Sequence, residues 1–391
     1  MKTSIVTCLQ TDHGTGDGIA TVLAEKLGGT TPVLVLLFAS PARDLKALLA
    51  GVQGAFPGAV VVGASTAGEF TEQGDAKGSV CALAVAGDLR VHAGVGSGLR
   101  SQREGALAQA LEAIPPTVDG YPHRTALMLF DALAGYGEET VLLAAALLGE
   151  GVKIAGGAAG DDLRMKATQV ALGGEVFSDA VVVAMLFTRK PLGLGVCHGH
   201  EPISPPLRVT RAEGARIFAI EGRPAWDVWR ERTRAIARSR GMDVDRLEDD
   251  GVGAFLLRFE AGLAVGPSYK IRAPLQCGED GSLLFASEIP EGALLRITES
   301  VPERQIASAR EAARLARLQL GGETPAGAVV FDCICRNLIL GDRFREAIVA
   351  MGEELEQKPL AGFETYGEIG MDSGEMSGFH NTTTVVLAFP E

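Results

Sequence analysis

The chain has 391 residues, 47% hydrophobic and 22% charged, with a formal net charge of -13 from 36 basic and 49 acidic side chains. That length exceeds one ordinary core at roughly 150 residues per domain, so two domains are expected, and the acidity repels phosphate backbones, excluding nucleic acid as a partner class. No apolar run reaches the ~18 residues of a membrane span and the N-terminus lacks a signal peptide's apolar core, so a cytoplasmic protein without membrane insertion is expected.

In chain order, residues 33 to 39 form a Val- and Leu-rich run between two prolines and read as a buried strand. Pro41 then opens a helix predicted over 42 to 51, with Leu45, Leu48 and Leu49 on one stripe and Gly51 as its stop. A strand from Val60, the turn GASTAGEF at 63 to 70, and a strand over 79 to 86 complete the unit. The order is strand, helix, strand, Gly-rich turn with an acid, strand.

Gly94, Gly96 and Gly98 precede a predicted helix over 102 to 114 and offer its N-terminus to an anion, although Leu99 breaks the dinucleotide pattern. A second copy of the unit follows: a strand over 126 to 130, a helix over 138 to 148, a strand over 153 to 155, GGAAGDD at 156 to 162, and a strand over 180 to 187. After a strand over 192 to 196, residues 216 to 220, 269 to 276 and 282 to 289 have hairpin character. A helix holding Trp226 and Trp229 precedes an Arg-rich stretch from 230 to 250.

The third copy comprises a strand over 328 to 335, a helix over 344 to 355, a strand over 360 to 362, GFETYGEI at 362 to 369, and a strand over 383 to 389. A helical crossover makes its flanking strands parallel, and the return through the turn is antiparallel, so mixed sheets flanked by helices are expected. The fold class is α+β, built from repeated units in two domains, 1 to 220 and 221 to 391.

GASTAGEF and GFETYGEI share Gly, Thr and Gly-Glu at the same offsets, placing Gly63, Thr66, Gly68 and Glu69 against Gly362, Thr365, Gly367 and Glu368. Glycines bring backbone N–H groups close to a ligand, while the threonine and carboxylate add a donor and an acceptor. The competing reading is that Thr66 and Glu69 only satisfy loop amides. Serine hydrolysis is disfavoured, because Ala67 breaks the Gly-x-Ser-x-Gly elbow and the twin turn has Glu364 where Ser65 stands.

His198 and His200 end a strand beside Cys197, and His380 lies near the third turn, making these three the candidates for a metal or an axial haem bond. Satisfied imidazoles at a strand end are the alternative. Cys333 and Cys335, two apart on one predicted strand, are read as core thiols among six scattered, reduced cysteines.

GASTAGEF, GGAAGDD, LGLGVCHGHEPI (192 to 203), FDCICR (331 to 336), GFETYGEIG and FHNTTTVVLAF (379 to 389) together resemble the FIST family, named for F-box and intracellular signal transduction proteins. In that family's pattern the position of His200 is more usually Trp, so His198 matches and His200 departs. The resemblance implies a signal-transduction sensor for a small ligand, a stand-alone subset of which binds haem, responds to nitric oxide and controls a histidine kinase. Its motifs add Gly157, Asp161, Asp162, Cys333, Arg336 and Asn381 to the turn residues as expected ligand contacts. A homo-oligomer is compatible with this reading. An acid-base or metal-dependent enzyme using Glu69, Asp161, Asp162 and Glu368, and a ligand-free interaction scaffold, are the alternatives.

Overall fold

The computed structural model describes every residue except 1, 12 and 13, 248, 266 and 267, 373 and 374, and 376 and 377. The first repeat runs β1 (Ser4–Gln10), α1 (Gly16–Lys26), β2 (Leu34–Ala39), α2 (Leu45–Ala55), β3 (Val60–Ser65), the hairpin β4 (Glu69–Thr71) and β5 (Gly74–Ala76), then β6 (Val80–Ala86). The second runs β7 (Leu89–Ser97), α3 (Arg103–Leu111), β8 (His123–Phe130), α4 (Gly137–Leu148), β9 (Val152–Ala158), the hairpin β10 (Val170–Leu172) and β11 (Glu175–Phe177), then β12 (Ala180–Thr188).

The third repeat opens with β13 (Gly193–His198) and is interrupted. The insert holds β14 (His200–Pro202), β15 (Leu207–Glu213), β16 (Arg216–Ile220), β17 (Arg223–Pro224), α5 (Ala225–Ser239), α6 (Asp249–Arg258), β18 (Phe259–Val265), β19 (Ser268–Arg272), β20 (Pro274–Cys277), β21 (Leu283–Phe285) and β22 (Leu294–Ser300). These strands form one nine-stranded sheet of their own, and residue 220 falls at its β16–β17 turn. The repeat then resumes with α7 (Pro302–Leu318), β23 (Pro325–Cys333), α8 (Ile334–Leu340), α9 (Phe344–Glu354), β24 (Leu360–Thr365), the hairpin β25 (Glu368–Met371) and β26 (Phe379–His380), and β27 (Thr383–Pro390).

Each repeat builds a six-stranded sheet in the same spatial order, and each sheet borrows its last two strands. The orders are β1-β6-β2-β3-β10-β11, β7-β12-β8-β9-β25-β26 and β13-β27-β23-β24-β4-β5. The hairpin after each Gly turn thus crosses to a neighbouring repeat's sheet, and the three exchanges close a ring. Within every sheet the helical crossover is parallel (β2 with β3, β8 with β9, β23 with β24) and the returning strand antiparallel.

Apolar runs without alternation bury both faces of their strands. Leu34, Leu36 and Phe38 of β2 enter an interior shared with Leu129 and Val182 of the second sheet and Phe331 and Phe363 of the third. Val35, Leu37 and Ala39 face outward onto α1 and α2. At the shared centre the Phe38 and Phe363 rings lie 4.5 Å apart, in the distance range of favourable aromatic pairs.

Some glycines set the distance between layers. A Cβ on Gly94 or Gly96 of β7 would lie 2.2 and 1.7 Å from the Ala110 and Ala106 carbonyl oxygens of α3. Their role is close strand–helix contact, which corrects the expectation of an anion seat. Gly193 and Gly195 of β13 do the same against Ala316 and Ala312 of α7, each at 1.8 Å. The helix expected over 42 to 51 begins instead after Asp44, whose carboxylate accepts from the Ala47 N–H, and it passes through Gly51, where α1 packs too closely for a side chain. The Arg-rich stretch likewise continues α5 to Ser239.

Candidate functional site

The twin turns share one internal network. Thr66 donates to one oxygen of Glu69, whose other oxygen accepts from the N–H and hydroxyl of Ser79, just before β6. Thr365 donates to Glu368, whose second oxygen accepts from the N–H of Thr383, at the start of β27. Gly68 and Gly367 have φ of 159° and 150°. Each carboxyl therefore caps the strand that returns to its sheet. The second repeat does this with Asp131, which accepts from the Thr168 hydroxyl and the Asp179 N–H ahead of β12.

All three turns meet. The Gly160 N–H donates to the Ser65 carbonyl and the Asp162 N–H to that of Thr66; Ala67 N–H donates to Glu364, and Glu364 N–H to Gly68; Tyr366 N–H donates to Ala158, and Ala158 N–H to Gly367. A Cβ on Gly68 would stand 2.6 Å from the Glu364 carboxyl, and one on Gly157 would stand 2.5 Å from Thr365 Cγ2. Gly63 is equally tight, 2.6 Å from the Leu37 carbonyl oxygen. Gly68 and Gly157 are needed because the turns pack on one another, and Gly63 because β3 lies close against β2 and α2.

Burial dominates the acids here. It pushes Glu69 up to about 7, and Glu364 and Glu368 well above the usual carboxylate range. Asp161 is held below that range: burial pushes it up, but N–H donors from Lys166, Ala167 and Met165 and the Tyr366 hydroxyl outweigh this. Asp162 accepts from the Ser40 hydroxyl. Arg336 is fully buried, its guanidinium held by Asp332, Gln305 and Ser308.

The three histidines do not converge. His198 Nδ1 accepts from the His200 N–H, and the two rings lie 6.1 Å apart. Burial keeps both below the ordinary imidazole range, His200 far below it. His200 Nε2 and Glu260 Oε2 face one another at 3.6 Å, both buried and without a hydrogen-bond partner, while Thr382 donates to the other oxygen of Glu260. His380 sits apart, bonded to the Gly370 carbonyl and pushed down to about 3 by burial. Among the described residues no three His, Cys, Asp or Glu side chains are grouped to hold a metal ion. A haem needs an apolar slot open to an axial imidazole, and among the described residues no histidine lines any of the main cavities, so His198, His200 and His380 do not fit one as arranged.

The cavity at the turn junction is elsewhere, between the three-sheet body and the insert. It encloses about 300 Å³ and is lined by Leu133, by Leu163 and Met165 of the loop after the second turn, by Leu257 of α6, by Cys333 to Cys335 and Leu338 at the start of α8, and by Tyr366, Asn381 and Ala273 to Leu275. Cys333 ends its strand and Cys335 lies in the first turn of α8, which corrects the expected pair on one strand. Larger cavities are less suited to a ligand: the one of about 520 Å³ is rimmed by charges already paired, Arg189 with Asp88 and Lys190 with Glu323, and the one of about 620 Å³ is a polar dish on the insert beside Trp226.

Of the expected ligand contacts, Cys333 and Asn381 line the 300 Å³ cavity, and Asp161 stands behind Tyr366. The turn residues Gly63, Thr66, Gly68, Glu69, Thr365, Gly367 and Glu368, with Gly157, Asp162 and Arg336, are absent from its lining. The sequence reading passed over Tyr366 and took Cys335 for a core thiol, though both stand inside the motifs TYGEIG and FDCICR and line the cavity.

The chain matches the FIST N domain over residues 33–223 and the FIST C domain over 225–371. It belongs to the FIST family, whose domains are signal-transduction sensor domains. An uncharacterized protein of Methanocaldococcus jannaschii is 27% identical over 203 residues, 50% of this chain, and the chain spans 38% of that relative's length. Among solved structures, cyanuric acid hydrolase from A. caulinodans aligns over 100% of this chain and 99% of its own with 9% identity, and its TM-score of 0.33 carries no argument. Among the described residues no helix is long and apolar enough to cross a membrane.

Proposed function

We propose that this chain is a ligand sensor whose small molecule enters the 300 Å³ cavity between the three-sheet body and the insert, and that the insert relays occupancy to a signalling protein. One observation carries the reading: Asn381 lines the cavity and ties the two parts together. Its Oδ1 accepts from the Ser287 hydroxyl and the Ala273 N–H of the insert, and its neighbour Thr382 donates to Glu260 of β18. The N–H of the next residue, Thr383, donates to Glu368 of the third turn. A molecule that displaces Asn381 shifts both attachments together. Small-molecule sites favour such junctions.

A thermal-melt screen of varied small molecules against the protein and Gly253→Leu tests this. Gly253 lines both this cavity and the neighbouring dish beside Trp226, and a Cβ there meets nothing within 4 Å, so the variant narrows both and keeps the fold, and protection of Cys335 rather than Cys277 from maleimide tells which one is occupied. Molecules that raise the melting temperature by mass action should lose that effect in the variant. No stabilising molecule, or one indifferent to the variant, sinks the reading.

The finer version, haem reporting nitric oxide to a histidine kinase with His198 as axial base, requires that buried imidazole to be freed from its contacts with His200 and Tyr269 of the insert. Absence of a Soret shift with nitric oxide after haem addition removes it.

A further inference from the structure

The chemistry of the cavity wall narrows the ligand class, an inference that rests on the sensor reading above. We infer that the molecule taken into the 300 Å³ cavity is neutral and largely apolar, and that amino acids and other ions are excluded.

Among the described residues no charged side chain lines the cavity, and Leu133, Leu257, Ile334 and Leu338 supply aliphatic surface. The polar side chains that do reach it are engaged, apart from one N–H of the Asn381 amide. The Tyr366 hydroxyl donates to Asp161 and accepts from the Leu163 N–H. The Asn381 carbonyl accepts from two insert donors, and its amide nitrogen donates to the His380 carbonyl. Among the described residues the remaining polar side-chain atoms of the lining are thiols, weak donors and weak acceptors. A zwitterion entering here would shed its hydration with at most one side-chain N–H, that of Asn381, to replace it, which is costly for any ionised group. The ionised Asp161 directly behind Tyr366 adds repulsion for a carboxylate.

The mouth repeats the same chemistry. Leu163 and Met165 stand 49% and 56% exposed at the rim, where large apolar side chains mark a contact surface. They are held there by a strained loop: Asp162, Leu163 and Met165 have φ of 54°, 61° and 51°. Such conformations persist only when the surroundings enforce them. Here Asp161 does so, its oxygens accepting from the N–H groups of residues 165, 166 and 167. The volume lies at the low end of the roughly 300–1,000 Å³ typical of small-molecule sites, which suits a bicyclic aromatic or a six-carbon chain.

Matched probes that differ only in charge test the inference: indole against L-tryptophan, and 1-hexanol against hexanoate. Binding is read by calorimetry, and location by peptide-mapped maleimide labelling of Cys335, with Cys277 of the neighbouring cavity as the internal control. Indole and hexanol should bind at least tenfold more tightly than their charged partners and slow labelling of Cys335 but not Cys277. Tryptophan or hexanoate binding as tightly as its neutral partner, with Cys335 protected, overturns the ligand class and leaves the sensor reading standing. Failure of all four to bind overturns both.

Discussion

The backbone N–H of Ala67 donates to the carbonyl oxygen of Glu364 at 3.1 Å, joining the first Gly turn to the third across almost 300 residues of chain. The bond explains the repeated turn. Each copy supplies one corner of a junction, and the shared Thr and Glu caps hold that corner rigid. The cavity opens beside the junction, where the third corner carries Tyr366 in place of Ala67.

Glu69 should make stability depend on pH. Burial raises its carboxyl from 4.5 to about 7, so the stability it supports is fully present below about pH 4.5 and is lost as pH rises to about 7. The shift corresponds to at most roughly 3 kcal/mol. Glu69→Gln keeps an acceptor and a donor for Thr66 and Ser79 and removes this titration. Urea midpoints between pH 5 and 8 should fall less for the variant than for the parent. Parallel slopes would show that Glu69 is ionised throughout.

Two glycines of α2 should respond in opposite ways to alanine. A Cβ on Gly51 would lie 2.8 Å from Gly16 Cα, so Gly51→Ala forces the helices apart and should cost about 1–3 kcal/mol. A Cβ on Gly54 meets nothing within 4 Å, so Gly54→Ala should gain about 0.5–1 kcal/mol from helix propensity. Equal melting shifts would contradict the packing.

Arg336→Leu should be among the most destabilising single changes. It leaves the Asp332 carboxylate, 2.5 Å from the guanidinium, buried without that cation, and it strips partners from Gln305 and Ser308. Breaking such a pair costs about 3–5 kcal/mol, whereas adding Asp332→Asn should recover part of the loss. Additive losses in a double-mutant cycle would argue against coupling.

Tyr366→Phe removes the hydroxyl that links Asp161 to the Leu163 N–H, at 2.7 and 2.6 Å. The expected cost is about 1–2 kcal/mol, with faster amide exchange confined to residues 163 to 167. Unchanged exchange there would mean that Asp161 alone holds the loop.

The repeated unit was legible because its apolar runs recur in all three copies and its Gly, Thr and Glu recur at the same offsets in the first and third, where Thr66 and Glu69, like Thr365 and Glu368, bond to one another; in the second copy Asp131 takes the acid's place. The hairpin exchange was not. Strands of three residues such as β4 carry no local signal of their partner, and Ala361 pairs with Thr71 only because two distant repeats are adjacent. The insert was hidden in the same way, since nothing near His198 announces that the chain will rejoin its sheet at β23. The first strand and helix were missed behind the polar, Gly-rich stretch from 11 to 18. The cavity was half legible: Cys333 and Asn381 lie in conspicuous motifs, but its floor comes from α6 and β20, whose sequences carry no distinctive pattern.

The ring of borrowed hairpins also governs how the molecule can come into being. The first sheet is complete once β10 and β11 are made, but β4 waits for β24 and β9 waits for β25, so the first hairpin and the edge of the second sheet stay unsatisfied until the third repeat has been synthesised. A nascent or severed N-terminal portion therefore offers its bare β9 margin to any similar segment nearby, and trading hairpins between two molecules is the natural error of this architecture.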